Sequence, residues 1–275
     1  MKECIGNYFI LNGELQTVKL FDNSLVYMGE SVYEVVRLVG GIPLFFRDHM
    51  DRLSSSLSFQ HKRPLTDPEA LKRDLMLLAG SDKRKEINIK IVFNYNNEAD
   101  NYLIYYVESH YPTPYQYRKG VRGILFFAER KDPQSKVINF SLKNSIHQEL
   151  VNENAYEALL VNEDNLVTEG SKSNIFFMKN NMLVTAPDDM ILKGITRRHI
   201  LEICSENGIG VEFSCVNAED LTEYESIIMT GTSPMVLPFN LIDDIFFNVS
   251  HPLIDKLRNI YIKRAEASIR EFIES

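Results

Sequence analysis

The hydrophobic positions along the chain follow two spacings, and each spacing predicts one kind of element. Apolar residues at every second position predict strands, as in Ser31–Val39 and again where Ile87, Ile89, Ile91 and Phe93 recur. Apolar residues three or four positions apart predict helices. The predicted strands are 8–11, 31–39, 42–46, 102–107, 121–128 and the stretch from Ile87, with further strands near Val211 and Ile227 and hairpins over 158–168 and 174–185. The predicted helices are 48–59, 67–80, 142–154, 195–207 and 252–273.

Small and polar residues between these stretches predict the turns. They are Gly40-Gly41, Asn96-Asn97, Asp164-Asn165 and Asn180-Asn181. No internal repeat is visible, which excludes a solenoid. The mixture of strands and helices predicts an α+β fold.

A polar, proline-bearing segment near the middle predicts a domain boundary. It contains Pro112, Pro114 and Gly120, and it cannot extend the strand on either side. We therefore expect a small N-terminal α/β domain over residues 1–113, a linker over 114–120 and a larger C-terminal α/β domain over 121–275. The length of 275 residues suits two domains of ordinary size.

Composition and charge exclude several classes of function. The chain is 44% hydrophobic and 25% charged, which is typical of a folded protein, and its net charge of -8 argues against binding to nucleic acid or anionic lipid. No apolar run reaches the roughly 18 residues of a membrane span, and the polar start predicts no signal peptide. Three cysteines without a Cys-x-x-Cys pattern argue against a disulfide framework or a zinc site. We expect a cytoplasmic protein that binds no metal.

Three loop motifs in the second half carry small and hydroxylic residues. They are Thr168-Glu169-Gly170-Ser171, Gly194-Ile195-Thr196-Arg197 and Thr230-Gly231-Thr232-Ser233. The second motif opens a predicted helix, so its free N–H groups and the Thr196 hydroxyl suit a phosphate. Each motif alone is also consistent with an ordinary helix cap or turn.

Several motifs in order resemble those of the class IV (fold type IV) pyridoxal-phosphate enzymes. This group contains branched-chain aminotransferases, D-amino-acid aminotransferases and aminodeoxychorismate lyases. In the first half the motifs are Gly29-Glu-Ser-Val-Tyr-Glu-Val-Val-Arg37, Gly41-Ile-Pro-Leu and His49-Met-Asp-Arg-Leu53. In the second half they are Tyr156-Glu-Ala-Leu-Leu, Val167-Thr-Glu-Gly-Ser171, Ser173-Asn-Ile-Phe176, Leu192-Lys-Gly-Ile-Thr-Arg197 and Thr230-Gly-Thr232.

The resemblance covers nearly the whole chain and implies a cofactor, a fold and an assembly. The implied fold is the two-domain α+β architecture of the D-amino-acid aminotransferase type, with pyridoxal 5'-phosphate between the domains. The implied assembly is a homodimer in which the partner's small domain contributes to the active site.

The resemblance also implies a lysine that forms a Schiff base with the cofactor, and two lysines are candidates. Counting back from Tyr156 with the spacing of the D-amino-acid enzymes selects Lys136. Lys143, seven residues later inside a predicted helix, is the alternative. The chemistry requires an amine that bonds to the cofactor aldehyde, yields to the substrate amine and then moves the α-proton.

Further roles follow from the resemblance, position by position. Arg52 is expected to pair with the cofactor phosphate, and Glu169 with the pyridine nitrogen, which keeps the ring an electron sink. The residues expected to complete the phosphate cup are Ile195, Thr196 and Thr232, with Asn174 and Gly194 holding the loops. The residues expected to face substrate are Tyr33 and Ser233.

Substrate choice departs from the family patterns. The D-amino-acid enzymes have an Arg-x-His carboxylate trap where Glu108–Tyr117 has no arginine, and the branched-chain enzymes have a Tyr-x-Arg where this chain has Tyr105–Val107. Glu34 after Tyr33 is the form more common among transaminases. We therefore expect an aminotransferase that moves the amino group of an α-amino acid, branched-chain or other, to a 2-oxo acid. The alternatives are aminodeoxychorismate lyase, which releases pyruvate and 4-aminobenzoate, and a non-catalytic relative of the fold.

Overall fold

The computed structural model describes residues 3–96 and 99–274. Their backbone contacts form two compact units. The first unit takes its described residues from Met1–His110, Ser135–Ile138 and Ala265–Ser275, and the second from Tyr111–Gln134 and Asn139–Arg264. Residues 114–120, expected to be a linker, belong to the second unit and contain a short helix.

The first unit contains an antiparallel sheet with strand order β2-β1-β6-β5-β3-β4. Its strands are β1 (Tyr8–Leu11), β2 (Glu14–Thr17), β3 (Glu30–Val39), β4 (Ile42–Pro43), β5 (Ile87–Tyr95) and β6 (Asn101–Val107). Strand β3 pairs with β5 along nearly its whole length, from Glu30 opposite Tyr95 to Leu38 opposite Ile87. The alternating apolar residues on one face of this sheet form the main core of the unit, with Val32, Val36, Ile89 and Ile91 among them.

Helices α1 (Ser24–Tyr27), α2 (Phe46–Phe59) and α3 (Pro68–Ser81) lie in the same unit. Leu53 and Leu57 of α2, together with Leu75 and Leu78 of α3, complete that core. Helix α3 begins as the sequence predicts, because the Asp67 carboxylate accepts a hydrogen bond from the N–H of Ala70 at 2.8 Å.

The second unit contains a mixed sheet with strand order β12-β11-β10-β14-β15-β7-β8-β9-β13, and β16 pairs with β15. Its strands are β7 (Val121–Phe127), β8 (Glu157–Val161), β9 (Leu166–Gly170), β10 (Asn174–Lys179), β11 (Met182–Thr185), β12 (Val211–Phe213), β13 (Val216–Asn217), β14 (Ser226–Gly231), β15 (Met235–Ile242) and β16 (Ile245–Phe246). Its core includes Leu159, Phe177, Ile227 and Phe239.

The helices that begin in the second unit are α4 (Pro114–Lys119), α5 (Phe140–Asn152), α6 (Ile195–Glu206) and α7 (Pro252–Glu274). The side chains of Thr113 and Gln116 form a capping box, which explains why the polar 114–120 segment is helical and not extended. No helix in the described ranges is long and apolar enough to cross a membrane.

The longer predicted elements are confirmed, and two points differ. The strand predicted over 42–46 stops at Pro43, because Phe45 has a positive φ of 50° and α2 starts at Phe46. Short elements such as β2, β13 and β16 were not predicted. The turn predicted at Asn96-Asn97 falls partly outside the described residues, which resume at Ala99.

Candidate active site

Lys136 lies on a short extended segment that runs beside β3 in the first unit. The N–H of Tyr33 donates to the carbonyl of Lys136 at 2.9 Å, and the N–H of Ile138 donates to the carbonyl of Ser31 at 3.1 Å. The buried hydroxyl of Ser56 on α2 accepts from the N–H of Lys136 at 3.3 Å. The backbone of this lysine is therefore held from both a strand and a helix.

The side chain of Lys136 points toward Tyr33, the residue predicted to face substrate. Its Nζ lies 4.8 Å from the centroid of the Tyr33 ring, within the range of a cation–π contact. Lys143, the alternative lysine, lies on α5 in the second unit and is exposed. The structure thus brings Tyr33 together with Lys136, whereas Lys143 is an exposed residue of α5.

Arg52 on α2 is tied to a buried carboxylate in the same unit. Its Nε donates to Glu34 Oε1 and its second guanidinium nitrogen donates to Glu34 Oε2, each at 2.7 Å. The Arg52 side chain is 11% exposed and that of Glu34 is fully buried. Such a two-point pairing fixes the plane of the guanidinium, which a single contact would leave free to rotate.

Glu34 has a second partner in His49, whose Nδ1 lies 2.8 Å from Glu34 Oε2. Burial alone would raise the pKa of the Glu34 carboxyl, but the Arg52 guanidinium and the His49 ring outweigh burial and hold that pKa at about 2. Burial lowers the pKa of His49, so the ring is neutral at pH 7 and donates through Nδ1. Glu34 is therefore an ionised acceptor for both neighbours.

Glu169 lies near the end of β9 in the second unit and is also buried. Its Oε1 lies 3.3 Å from Nε of Arg130, and its Oε2 accepts from the N–H of Leu192 at 3.2 Å. Arg130 also donates to the carbonyl of Ser171 at 2.7 Å. The predicted partner of the pyridine nitrogen is thus held in place by a cation and a backbone amide.

The loop after Glu169 is organised by Glu157, a buried carboxylate at the start of β8. Its two oxygens accept from the hydroxyls of Ser171 and Ser173 and from the N–H groups of Ala158, Ser171 and Lys172. At Gly170 an added Cβ would lie 2.1 Å from Ser173 Oγ, so only glycine fits there. The loop that follows Glu169 is therefore tightly packed.

Helix α6 begins without a side-chain cap. Gly194 occupies the N-cap position and has no side chain to accept from the first-turn N–H groups of Ile195 and Thr196. An added Cβ at Gly194 would lie 2.0 Å from Oδ1 of Asn174, whose Nδ2 donates to the carbonyl of Leu192 at 2.8 Å. The two residues predicted to hold the loops do so here, in direct contact.

Thr232 and Ser233 lie in the turn between β14 and β15. The preceding Thr230 pairs with Asn174 across the sheet, and its hydroxyl donates to the Asn174 carbonyl at 3.4 Å. Asn174 therefore connects β14, the strand before that turn, to the loop before α6. The Thr196 hydroxyl lies 3.1 Å from that of Tyr261, so Thr196 is already part of a buried hydrogen bond.

Some residues that shape the site were not predicted from the sequence. Glu34 was interpreted only as a residue typical of the family's transaminases. It stands at one of the alternate positions of β3 that are buried, and a carboxylate at such a position indicates a charged partner. His49 precedes Arg52 by three positions, which places both on one face of α2. Neither Arg130 nor Glu157 carried a local signal, because their partners are distant in sequence.

Comparison of sequences relates this chain to known proteins. Residues 31–242 match the family model described as Amino-transferase class IV. A D-alanine aminotransferase from Bacillus licheniformis is 28% identical over 240 residues, which are 78% of this chain and 80% of that protein.

Solved structures share the fold. The branched-chain aminotransferase of the thermophilic archaeon Thermoproteus uzoniensis, solved with norvaline, has a TM-score of 0.85 at 21% identity, over 98% of each chain. A Legionella pneumophila structure named provisionally as a 4-amino-4-deoxychorismate lyase has a TM-score of 0.77 at 23% identity, over 86% of this chain and 92% of that one.

Proposed function

Because this chain belongs to the class IV amino-transferase family, we propose that it moves the amino group of an α-amino acid to a 2-oxo acid with pyridoxal 5'-phosphate bound to Lys136. Family membership makes it an aminotransferase and hence an enzyme. The observation that carries the rest of the proposal is the position of Lys136, whose backbone is fixed by β3 and Ser56 and whose amine lies at Tyr33.

The residues present fit the phosphate of this cofactor. An unfilled N-cap at Gly194 leaves the N–H groups of Ile195 and Thr196 at the positive end of a 12-residue helix. Asn174 pairs with Thr230, two residues before Thr232, and donates to the carbonyl of Leu192, two residues before Gly194. In this proposal these groups and the Arg52 guanidinium bind the phosphate, and Glu34 keeps the Arg52 fork in a fixed orientation.

The residues around Glu169 fit the other end of the cofactor. A carboxylate beside a ring nitrogen favours the protonated ring. When bound, the cofactor supplies an aldehyde carbon and a ring that withdraws electrons from the substrate's α-carbon. Arg130 and the Leu192 N–H orient Glu169 for this contact.

The role proposed for Lys136 is to hold the cofactor, to yield to the substrate amine and then to move the proton of the α-carbon. Tyr33 lies beside its amine and is proposed to position it against the substrate. Ser233, on the turn after β14, is proposed as a further substrate contact.

The assembly and location belong to the same proposal. A homodimer is proposed because the family that the chain resembles completes each active site with residues from the partner. Size-exclusion chromatography with light scattering tests it. A cytoplasmic location is proposed from the low cysteine count and tested by cell fractionation.

The test of this function uses the purified protein with added pyridoxal 5'-phosphate and a panel of L- and D-amino acids. Each amino acid is paired with a 2-oxo acid, and the new amino acid is identified by chiral chromatography. Wild type, Lys136→Ala and the matched control Lys143→Ala are compared for product and for the visible absorption of bound cofactor. We expect both signals to be lost only in Lys136→Ala.

Other outcomes would replace the proposal. Release of pyruvate from 4-amino-4-deoxychorismate without any 2-oxo acid, and no amino transfer, would favour a lyase. Loss of the absorption in Lys143→Ala and not in Lys136→Ala would move the cofactor to α5. A wild-type protein that takes up no cofactor would favour a non-catalytic relative.

A further inference from the structure

Strand β5 contains a buried cation to which the proposed function gives no role. Lys90 stands among Ile89, Ile91 and other apolar residues, and its side chain is only 7% exposed. A buried ammonium is costly unless paired, so its retention in this strand calls for a reason.

Lys90 lies close to the proposed catalytic lysine. Strand β5 places it opposite Val35 on one edge of β3, and the segment that holds Lys136 lies along the other edge. The Lys90 and Lys136 amines are 4.9 Å and 4.8 Å from the centroid of the same Tyr33 ring, so they are less than 10 Å apart. Tyr33 therefore lies beside two ammonium groups.

Glu3 pairs with Lys90 and is held by two phenols. The Lys90 ammonium donates to Glu3 Oε1 at 2.5 Å, and the Tyr105 hydroxyl donates to the same oxygen at 3.0 Å. The Tyr27 hydroxyl donates to Glu3 Oε2 at 2.5 Å. Glu3 would keep these two donors if Lys90 shared or exchanged its carboxylate partner.

We propose that Lys90 binds a carboxylate group of the substrate, in competition with Glu3. This rests on the proposed function, since Lys136 marks where the substrate's α-carbon must lie.

The other cation near Lys136 is less suited to this role. Arg52 is held at both ends of its fork by Glu34, and the proposed function assigns it to phosphate. The stretch Tyr105–Tyr117 has no arginine. Lys90 lies directly across from Tyr105, so it supplies positive charge to the same part of the sheet. A lysine offers a compact charge with three donors, which suits a carboxylate approached from several directions.

The separation of the two amines admits two kinds of carboxylate. The α-carboxylate is attached to the reacting carbon, and a side-chain carboxylate such as that of glutamate lies about 4 Å further along. The proposal applies to either carboxylate. Monocarboxylic and dicarboxylic amino acids therefore form separate arms of the test.

The experiment compares wild type with Lys90→Met, Glu3→Gln, the double variant and Lys90→Arg, and uses Lys83→Met as the control on an exposed lysine. KM and kcat are measured for alanine, leucine and glutamate in the accepted stereoisomer. We expect Lys90→Met to raise KM by about tenfold to a hundredfold, as befits loss of a charged hydrogen bond. Glu3→Gln should lower KM, because it removes the competing carboxylate, and Lys90→Arg should recover much of the wild-type value.

A second measurement does not depend on turnover. Calorimetry follows the binding of 4-methylpentanoate, which has no amine, and of its neutral amide. We expect wild type to prefer the carboxylate, Lys90→Met to lose that preference and Glu3→Gln to strengthen it. The double variant removes both buried charges, so we expect it to unfold near the wild-type temperature and still show no preference.

Three results would overturn the proposal. The first is an unchanged KM and an unchanged carboxylate preference in Lys90→Met. The second is recovery of both values in the double variant, which would make the pair purely structural. The third is a raised KM in Glu3→Gln. If only glutamate is affected in Lys90→Met, the bound group is the side-chain carboxylate. If wild type moves no amino group at all, the proposed function fails, while the calorimetry still decides whether Lys90 binds a carboxylate.

Discussion

The buried contact between Glu34 and Arg52 leads to a quantitative prediction about acid stability. In Glu34→Gln the guanidinium and His49 keep a neutral partner but lose a carboxylate that is fully buried. The variant should therefore be less stable than wild type at pH 7, and the difference should depend on pH. Breaking one side of a buried ion pair typically costs about 3–5 kcal/mol.

The size and sign of the pH dependence follow from the pKa of Glu34. That pKa is about 2 in the folded protein and 4.5 is its ordinary value, a difference worth about 3 kcal/mol. Because the folded-state pKa is lowered, this stability is present above pH 4.5 and is lost as the pH falls toward 2. About 1 kcal/mol should be lost by pH 4 and about 2 kcal/mol by pH 3. The pKa of His49 is also lower in the folded protein than its ordinary value of 6.5. Below pH 6.5 the unfolded state therefore binds a proton that the folded state excludes, which adds to the loss of stability as the pH falls.

The assay is urea unfolding of the cofactor-free protein at pH 7, 5, 4 and 3. The chain has no tryptophan, so tyrosine fluorescence and circular dichroism report the transition. The gap in unfolding free energy between wild type and Glu34→Gln should narrow as the pH falls. Glu30→Gln, on the same strand but with a carboxylate 69% exposed, should change stability by less than about 1 kcal/mol. A gap of constant size from pH 7 to pH 3 would refute the ion-pair reasoning.

Three further predictions concern cofactor binding, turnover and stability. Gly194→Ala places a Cβ 2.0 Å from Asn174 Oδ1 and should raise the Kd for pyridoxal 5'-phosphate. The control Gly80→Ala adds a Cβ that meets no atom within 4 Å and should leave that Kd unchanged. Equal Kd values for the two variants in an absorbance titration would contradict this prediction. Glu169→Gln removes the charge proposed to hold the ring nitrogen protonated, so kcat should fall by about a hundredfold while cofactor still binds, and an unchanged kcat would remove Glu169 from that role. Asp67→Ala removes the cap of α3 and should cost about 1 kcal/mol in thermal unfolding with no change in KM, and no loss of stability would show the cap to be dispensable.

The regular elements were predictable from the sequence where they are long and half-buried. Strand β3 and helix α6 bury one side, so the spacing of their apolar residues reveals their type and approximate bounds. Elements of two residues, such as β13 and β16, have no spacing to read. The helix within 114–120 was not predicted, because Pro114 and its polar neighbours suit a linker as well as the first turn of a capped helix.

The candidate site was predictable to a smaller extent. The family resemblance selected Lys136 and the loops around Gly194, and the structure adds which side chains they contact. The pairings of Arg52 with Glu34 and of Glu169 with Arg130 join residues 18 and 39 positions apart. Such contacts depend on the register of strands and the direction of loops, which local patterns do not specify. Lys90 was overlooked for the same reason, since a lysine in an apolar strand has no meaning until its neighbours are known.

The segment Ser135–Ile138 pairs with β3, although the residues on both sides of it group with the second unit. The described residues from Ala265 onward likewise group with the first unit. Neither unit is therefore a single continuous stretch of sequence, and a gene fragment ending at residue 113 would encode a sheet without its lysine. Exchange of one continuous block of sequence during evolution would therefore transfer neither unit whole.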